Sequence, residues 1–450
     1  MTSAATGSLE DWLARQYRHA AMAMLKSVSA CDIVKERPGF GQTVRPVAGS
    51  IVASPVPAAY DPDPDYFFHW FRDSAIVIDA VRLLYEEGLL DARAPTYFAD
   101  FVRFSLSLKA LDGRALVGLS QWRQKVAPDF ERYLRGDDLD AVAGDAVYAD
   151  TRVNPDGTLD ISRWARPQHD GVPLRALTVL RWLRTLRAKG ARANENVCAD
   201  AERLLRIDLA LTAAHWCEPS FDIWEEEQGL HYFTLRVSAA ALDEGAEWLD
   251  AARDAPAAAA RRAQARAIRE KLDSFWLGDA GYYGSRMMPP GVATTKQLDI
   301  AVILSTLHSC HAEKTHSVRD PRMHSTLEAL ERLFDSLYLI NRGRPRERGP
   351  AMGRYEGDVY YSGGAYYFST LGAAEFCFRA AAARAPGGAD RWIARGDTFI
   401  ETVRAFTPAN GDLSEQFDQR TGEQTSAKHL AWSYAAFISC VAARRAAVSP

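Results

Sequence analysis

Apolar residues recur at three- and four-residue spacing through most of this chain. The pattern is clear in residues 74–88 (SAIVIDAVRLLYEEG), 173–190 (PLRALTVLRWLRTLRAKG) and 257–276 (AAAARRAQARAIREKLDSFW), and again in 326–338 and 431–447. That period places one apolar stripe on an α-helix. Alternating patterns are few and short, and the Ala- and Arg-rich segments carry little β-branching, which favours helix. The prediction is an all-α fold. Ser8 is expected to cap an amphipathic first helix.

A second regularity organises the helices. Six times a loop of charged and aromatic residues runs straight into an apolar helix: at 66–80, 163–180, 221–242, 295–308, 354–376 and 412–437. Each apolar helix is expected to be followed by a more charged one, such as 81–88 or 257–275. Six such hairpins closed in a ring make an (α/α)6 barrel, with the loops at the inner-helix N-termini gathered on one rim. Loops of this kind are where function collects. Residues 126–160, the longest irregular stretch, are expected to wall that rim. No break in composition marks a second domain, so residues 1–450 read as a single catalytic domain.

Composition narrows the possible functions. The chain has 450 residues, a formal net charge of −4 and 10% aromatic residues, with no basic patch to attract nucleic acid. No stretch is long and apolar enough for a membrane span, and the N-terminus lacks a signal peptide's basic and apolar regions. The six cysteines fall singly on apolar segments and form no C-x-x-C pair, which fits reduced thiols and a cytoplasmic location. His308, Cys310, His311 and His316 lie close together, but their spacing fits no structural zinc pattern. No metal and no cofactor are expected.

The candidate chemistry lies in FDIWEEEQGL, residues 221–230. Three carboxylates, Glu225, Glu226 and Glu227, follow Trp224 directly. A run of glutamates is usually a solvated helix face, yet Phe221, Trp224, His231, Tyr232 and Phe233 surround this one. A carboxyl group set against an apolar ring suits a general acid. A partner is available in the sixth loop, where Glu415 sits between small and polar residues. Two carboxyl groups about 6.5–9.5 Å apart leave room for a water and hydrolyse a glycosidic bond with inversion.

Five segments then match one family in order. DPDYFFHWFRDS, WARPQHDGVPLRA, FDIWEEEQGLHYFT, GRYEGDVYYSGGAYY and DLSEQFDQRTGEQTSAKHLAWSYAAF resemble motifs of the glucoamylases of glycoside hydrolase family 15. The resemblance runs over nearly the whole chain and implies an (α/α)6 barrel. It implies that Glu225 is the general acid and Glu415 the general base. Arg72 and Asp73 would grip the terminal glucose and Arg354 would be a second sugar-binding arginine. Glu226 would contact the sugar beyond the cleaved bond. Trp164 and Arg166 would close over the acid side, Tyr66, Tyr360 and Trp432 would line the first subsite, and Asp222 would stand beside the catalytic pair. Trp70, Trp224 and Tyr366 complete the expected binding set.

This chain departs from the family pattern at His69, Phe71, His169, Tyr366 and Glu227, changes that bear on the preferred linkage. The implied activity is an inverting exo-acting α-glucosidase that releases β-glucose from α-1,4 glucans. Cleavage of α-1,6 links or of trehalose, a catalytically silent glucan sensor, and a phosphorylase remain alternatives, the last two disfavoured by the presence of both glutamates. With no starch-binding module expected, soluble oligosaccharides or dextrins are the anticipated substrates, acted on by a monomer or weak homo-oligomer.

Overall fold

The computed structural model describes residues 8–60, 62–118, 121–190, 195–309 and 314–449. Its helices are α1 (Leu9–Leu25), α2 (Phe71–Glu86), α3 (Ala94–Ser107), the short α4 (Gly113–Gly118), α5 (Gly171–Ala188), α6 (Glu195–His215), α7 (Tyr232–Ala251), α8 (Ala255–Asp273), α9 (Ala301–Ser309), α10 (Pro321–Leu337), α11 (Tyr367–Ala382), α12 (Ala389–Phe406) and α13 (Ala431–Val448). All six predicted loop-to-helix junctions are present, opening α2, α5, α7, α9, α11 and α13. Strands among the described residues are two to four residues long. None of the described helices is long and apolar enough to cross a membrane.

The chain divides into two compact units. One comprises residues 26–228 and 241–265. Its centre is α5, which packs on both α2 and α6. The first ten residues of α5, Gly171 to Leu180, are all buried, and several of the helix's polar groups bond to neighbours. Trp182 Nε1 donates to the Ile78 carbonyl, Thr178 donates to that of Ala75, and Arg175 makes two bonds to Asp208 at 3.0 and 2.7 Å. The buried Arg175 charge is offset by this two-pronged pair with Asp208, while its Nη1 has no hydrogen-bond partner. Gly171 permits the start of α5 to lie against the start of α2: a Cβ there would meet Phe71 Cβ at 2.5 Å.

The other unit comprises residues up to Leu25, then 229–240 and 266–450. Here α11, buried along nearly its whole length, packs on α9, α12 and α13. Gly372 lets α9 approach, since a Cβ would meet Leu304 Cδ2 at 2.6 Å. Helix α10 begins at Asp320, whose side chain accepts from Arg322 N, with Pro321 in the first turn. Ser8 Oγ likewise accepts from Asp11 N at 3.1 Å, the cap expected for α1.

Two details of the hairpin pattern differ from expectation. Residues 81–86 are the last turns of α2, and the partner helix is α3. The charge there belongs to an intrahelical pair, Arg82 with Glu86 at 2.7 Å, on the polar side of one amphipathic helix. The sixth apolar helix, α13, takes its partner from the other end of the chain. Helix α1 packs on it, with Trp12 and Phe437 edge to face at 5.6 Å.

Of the histidine group at 308–316, Cys310 and His311 lie outside the described residues. His316 is buried and engaged, with Nδ1 2.8 Å from Tyr232 Oη and Nε2 3.2 Å from Asp273. His308 lies beside the Phe233 and Trp432 rings.

Candidate active site

The WEEE segment is a tight loop, not a helix face. Asp222 organises it. Its carboxylate accepts from the backbone N–H groups of Trp224, Glu226 and Glu227, at 2.8, 3.3 and 3.1 Å. Three amide donors on one buried carboxylate wind the chain around it, and the Glu225 amide returns to the Asp222 carbonyl at 2.9 Å. Glu225 is thereby held at φ +66°, the left-handed region that residues other than glycine seldom adopt. Such conformations cost energy and concentrate at functional positions. Asp222 thus shapes the loop, while Glu226 is exposed beside it.

Both oxygens of Glu225 are fixed by side chains from elsewhere in the chain. Trp70 Nε1 donates to Oε1 at 2.8 Å, Arg72 Nη2 donates to the same oxygen at 3.2 Å, and Trp164 Nε1 donates to Oε2. The rings that frame Glu225 are therefore Trp70 and Trp164, where the sequence had suggested Trp224. Tyr66 lies against Trp70, ring centroids 5.3 Å apart.

Arg72 is the hub of this cluster. Besides Glu225 it meets Asp73 and Asp170, each at 3.3 Å. Burial drives the Asp73 carboxyl up to about 6; Arg72 pulls it down, and Glu225 and Asp170 push it up again. Asp170 is raised for the same leading reason. Asp73 Oδ2 is buried and, although 3.3 Å from Arg72 Nη2, accepts no well-directed hydrogen bond. Buried acceptors without one are uncommon in folded proteins and call for an explanation.

Beneath the two tryptophans lies a charged layer that the sequence reading missed. Arg152, fully buried, stacks under Trp164 at 3.6 Å and Trp70 at 4.6 Å, and pairs with Asp160 at 2.9 Å. Arg166 bonds both Asp150 and Asp160, and Arg135 meets Asp150 at 2.8 Å. Burial alone would raise Asp160, but Arg152 and Arg166 outweigh it and hold that carboxyl far below its ordinary range. Arg166 is thus committed to the support of this wall. Apart from Arg166, which the family motif marked, the cluster comes from the irregular stretch 126–160, whose lack of period hid it. His69, one of the departures from the family pattern, is a core residue. It is fully buried, and its Nδ1 accepts from Ile51 N at 2.9 Å. Burial lowers it to about 3, so it is neutral at ordinary pH.

The second unit presents a separate polar centre. Glu415 is buried and accepts from Ser426 Oγ, and its backbone is pinned by the Ala427 carbonyl at 2.8 Å. It directly precedes a three-stranded antiparallel sheet in which Ala365 pairs with Phe417 and Gln416 with Thr425. Arg354 makes a two-pronged pair with Asp358, at 2.7 and 2.5 Å, and the rings of Tyr355, Tyr360 and Tyr366 surround its guanidinium. Tyr366 is fully buried. It donates to Asp358 at 3.1 Å and accepts from Gln416 at 2.7 Å, so it braces the arginine from behind. Tyr360 donates its N–H to Asp358 at 2.9 Å. Trp432 opens α13 with one face stacked on Phe368, centroids 4.4 Å apart. Asp358 and Ser426 were not foreseen, although both lie within the matched motifs.

Residues 40–103, 151–395 and 389–442 match the family described as Glycosyl hydrolases family 15. The chain belongs to that family. Similar proteins include a probable glucoamylase of Schizosaccharomyces pombe, 28% identical over 98% of this chain and 92% of the relative, and glucoamylase P of Amorphotheca resinae, 28% identical over 90% and 66%. An intracellular sporulation-specific glucoamylase of Saccharomyces cerevisiae is 24% identical over 96% of this chain and 83% of its own. Among solved structures, the Hormoconis resinae glucoamylase superposes with a TM-score of 0.77 at 26% identity, covering 98% of this chain and 74% of that one. The Saccharomycopsis fibuligera glucoamylase gives 0.76 at 20% identity, covering 97% and 96%. The fold is accordingly the family's (α/α)6 barrel, as the six junctions predicted, and the chain is a glycoside hydrolase of glucoamylase type.

Proposed function

We propose that this enzyme is an inverting exo-acting α-glucosidase that removes glucose, as the β-anomer, from the non-reducing ends of α-1,4-linked maltooligosaccharides and dextrins. The observation that carries the reading is the hold on Glu225: a carboxyl group on a left-handed loop residue, fixed by two indole N–H groups and one guanidinium. Glu225 delivers a proton to the glycosidic oxygen as the bond to the anomeric carbon breaks. Glu415 takes a proton from the water that attacks the opposite face. Ser426 orients that base. Arg72 and Asp73 bind hydroxyls of the terminal glucose, with Asp73 Oδ2 taking a hydroxyl hydrogen as its missing donor. Tyr66 and Trp70 offer faces to the sugar's C–H side. Arg354, Tyr360 and Trp432 complete the glucose subsite, and Trp224 and Glu226 meet the sugar beyond the cleaved bond. Arg166 and Tyr366 act through their neighbours.

We place the enzyme in the cytoplasm as a single catalytic domain, monomeric or weakly associated. Five cysteines among the described residues are free thiols, which supports a reducing compartment, and one relative is described as intracellular. Proton NMR of the purified protein with maltose, maltotriose, isomaltose and trehalose tests the reading. Early β-glucose from maltose and maltotriose, ahead of the other two sugars, is expected. Early α-glucose refutes the two-carboxylate assignment, and β-glucose mainly from isomaltose or trehalose refutes the linkage. No glucose from any of them refutes the activity.

A further inference from the structure

Next to Asp170 in the chain, His169 converges with two side chains from the end of α6, and the hydrolytic reading uses none of the three. His169 lies on the loop entering α5, His215 is the last residue of α6, and Glu218 is in the turn that follows. One ligand atom from each lies within 4.8 Å of the others. The two imidazoles are nearly parallel, with centroids 5.3 Å apart and planes at 15°. Glu218 Oε2 is 2.8 Å from His215 Nδ1 and 3.8 Å from His169 Nε2.

His169 supplies a second, independent observation. Its side chain is only 10% exposed, and Nε2 is buried with no hydrogen-bond partner. A buried ring nitrogen left unanswered costs a desolvation penalty that a ligand at that atom would offset. A neutral imidazole presents a ring-nitrogen lone pair to a metal ion. The other two ligands are set by local geometry. The Glu218 amide donates to the His215 carbonyl at 3.0 Å, so the turn carries both side chains to one side of the helix end.

We propose that His169, His215 and Glu218 bind one borderline divalent transition ion of the zinc class, with water completing its coordination. Two imidazoles and one carboxylate suit zinc, cobalt or nickel better than magnesium or calcium, which prefer all-oxygen sites. Donors about 2.1 Å from a tetrahedral ion stand about 3.4 Å apart. Rotation of Glu218, which is exposed, and His215, which is partly so, closes the present span. The ion ties the end of α6 to the loop that carries Asp170.

The test uses the full chain without an affinity tag, stripped with a chelator and titrated with Co²⁺ while the visible absorption is recorded, then with Zn²⁺ in competition. One Co²⁺ per chain, displaced by Zn²⁺, is expected. His215→Ala and Glu218→Gln, both at surface positions that leave folding intact, should each weaken binding about tenfold or more. Cys217→Ser should bind as the parent does, since the exposed thiol in the same turn is not a ligand. Absence of saturable one-to-one binding overturns the proposal. So does binding that survives His215→Ala, or binding that Cys217→Ser abolishes.

Discussion

Asp73 gives the sharpest prediction, because its cost and its use have opposite signs. Its carboxyl is displaced from an ordinary 3.8 to about 6, chiefly by burial, with Glu225 and Asp170 outweighing part of the help from Arg72. The folded protein therefore binds a proton there that the unfolded chain has already released. Between about pH 4 and 6 stability falls as pH rises, and above pH 6 the full penalty of about 3 kcal/mol is present. Asp73→Asn keeps the shape and removes the charge. Below about pH 4 the variant and the parent should unfold alike. Above pH 6 the variant should be the more stable by about 3 kcal/mol, or about 3 °C for a chain of 450 residues. Sugar binding should move the other way. A hydroxyl donated to Oδ2 favours the carboxylate, so affinity for a non-hydrolysed sugar rises through pH 6 in the parent and is weak and flat in the variant. Thermal unfolding from pH 3.5 to 8, with sugar titrations at each end, measures both. A stability difference that does not change with pH, or a variant less stable at pH 8, would refute the electrostatic reasoning.

Three further outcomes follow from the geometry. Glu225→Gln and Glu415→Gln should each lower kcat about 10²–10⁴-fold on maltotriose while circular dichroism stays unchanged; near-normal turnover in either removes that residue from its role. Gly171→Ala forces a methyl onto Phe71 Cβ and within 3.1 Å of Arg72 N. It should cost about 1–3 kcal/mol and lower kcat/KM as Arg72 shifts; a variant with parental melting and kinetics contradicts the close approach. Asp208→Asn strands the buried Arg175 guanidinium and should cost about 3–5 kcal/mol in chemical denaturation, with maltose KM little changed if the protein is assayed while folded.

The family motifs were legible because each is a short stretch that a tight turn must keep together. W-E-E with its upstream Asp222 is one such stretch, and R-Y-x-x-D, which contains the Arg354–Asp358 pair, is another. The six apolar helices were legible because burial on one face imposes a period on the sequence, and so the (α/α)6 fold could be counted from their junctions. The period could not say which helix follows which: the charge at 81–86 is a pair within α2, and α13 is partnered by α1 from the opposite terminus.

Tertiary structure alone decided what surrounds each chemical group. The indoles on Glu225 come from Trp70 and Trp164, far away in the chain, and the adjacent Trp224 is not among its hydrogen-bond donors. Arg152 beneath them stands in a segment without period, where no pattern marks a buried cation. His169 reads in sequence as an isolated departure from a motif and becomes half of a stacked pair only when α6 ends beside it. Local sequence carries backbone geometry and periodic burial, since both depend on neighbours a few residues away. The charge state and hydrogen-bond partners of a buried group depend on whatever folding brings within a few ångströms, and that is a property of the assembled chain.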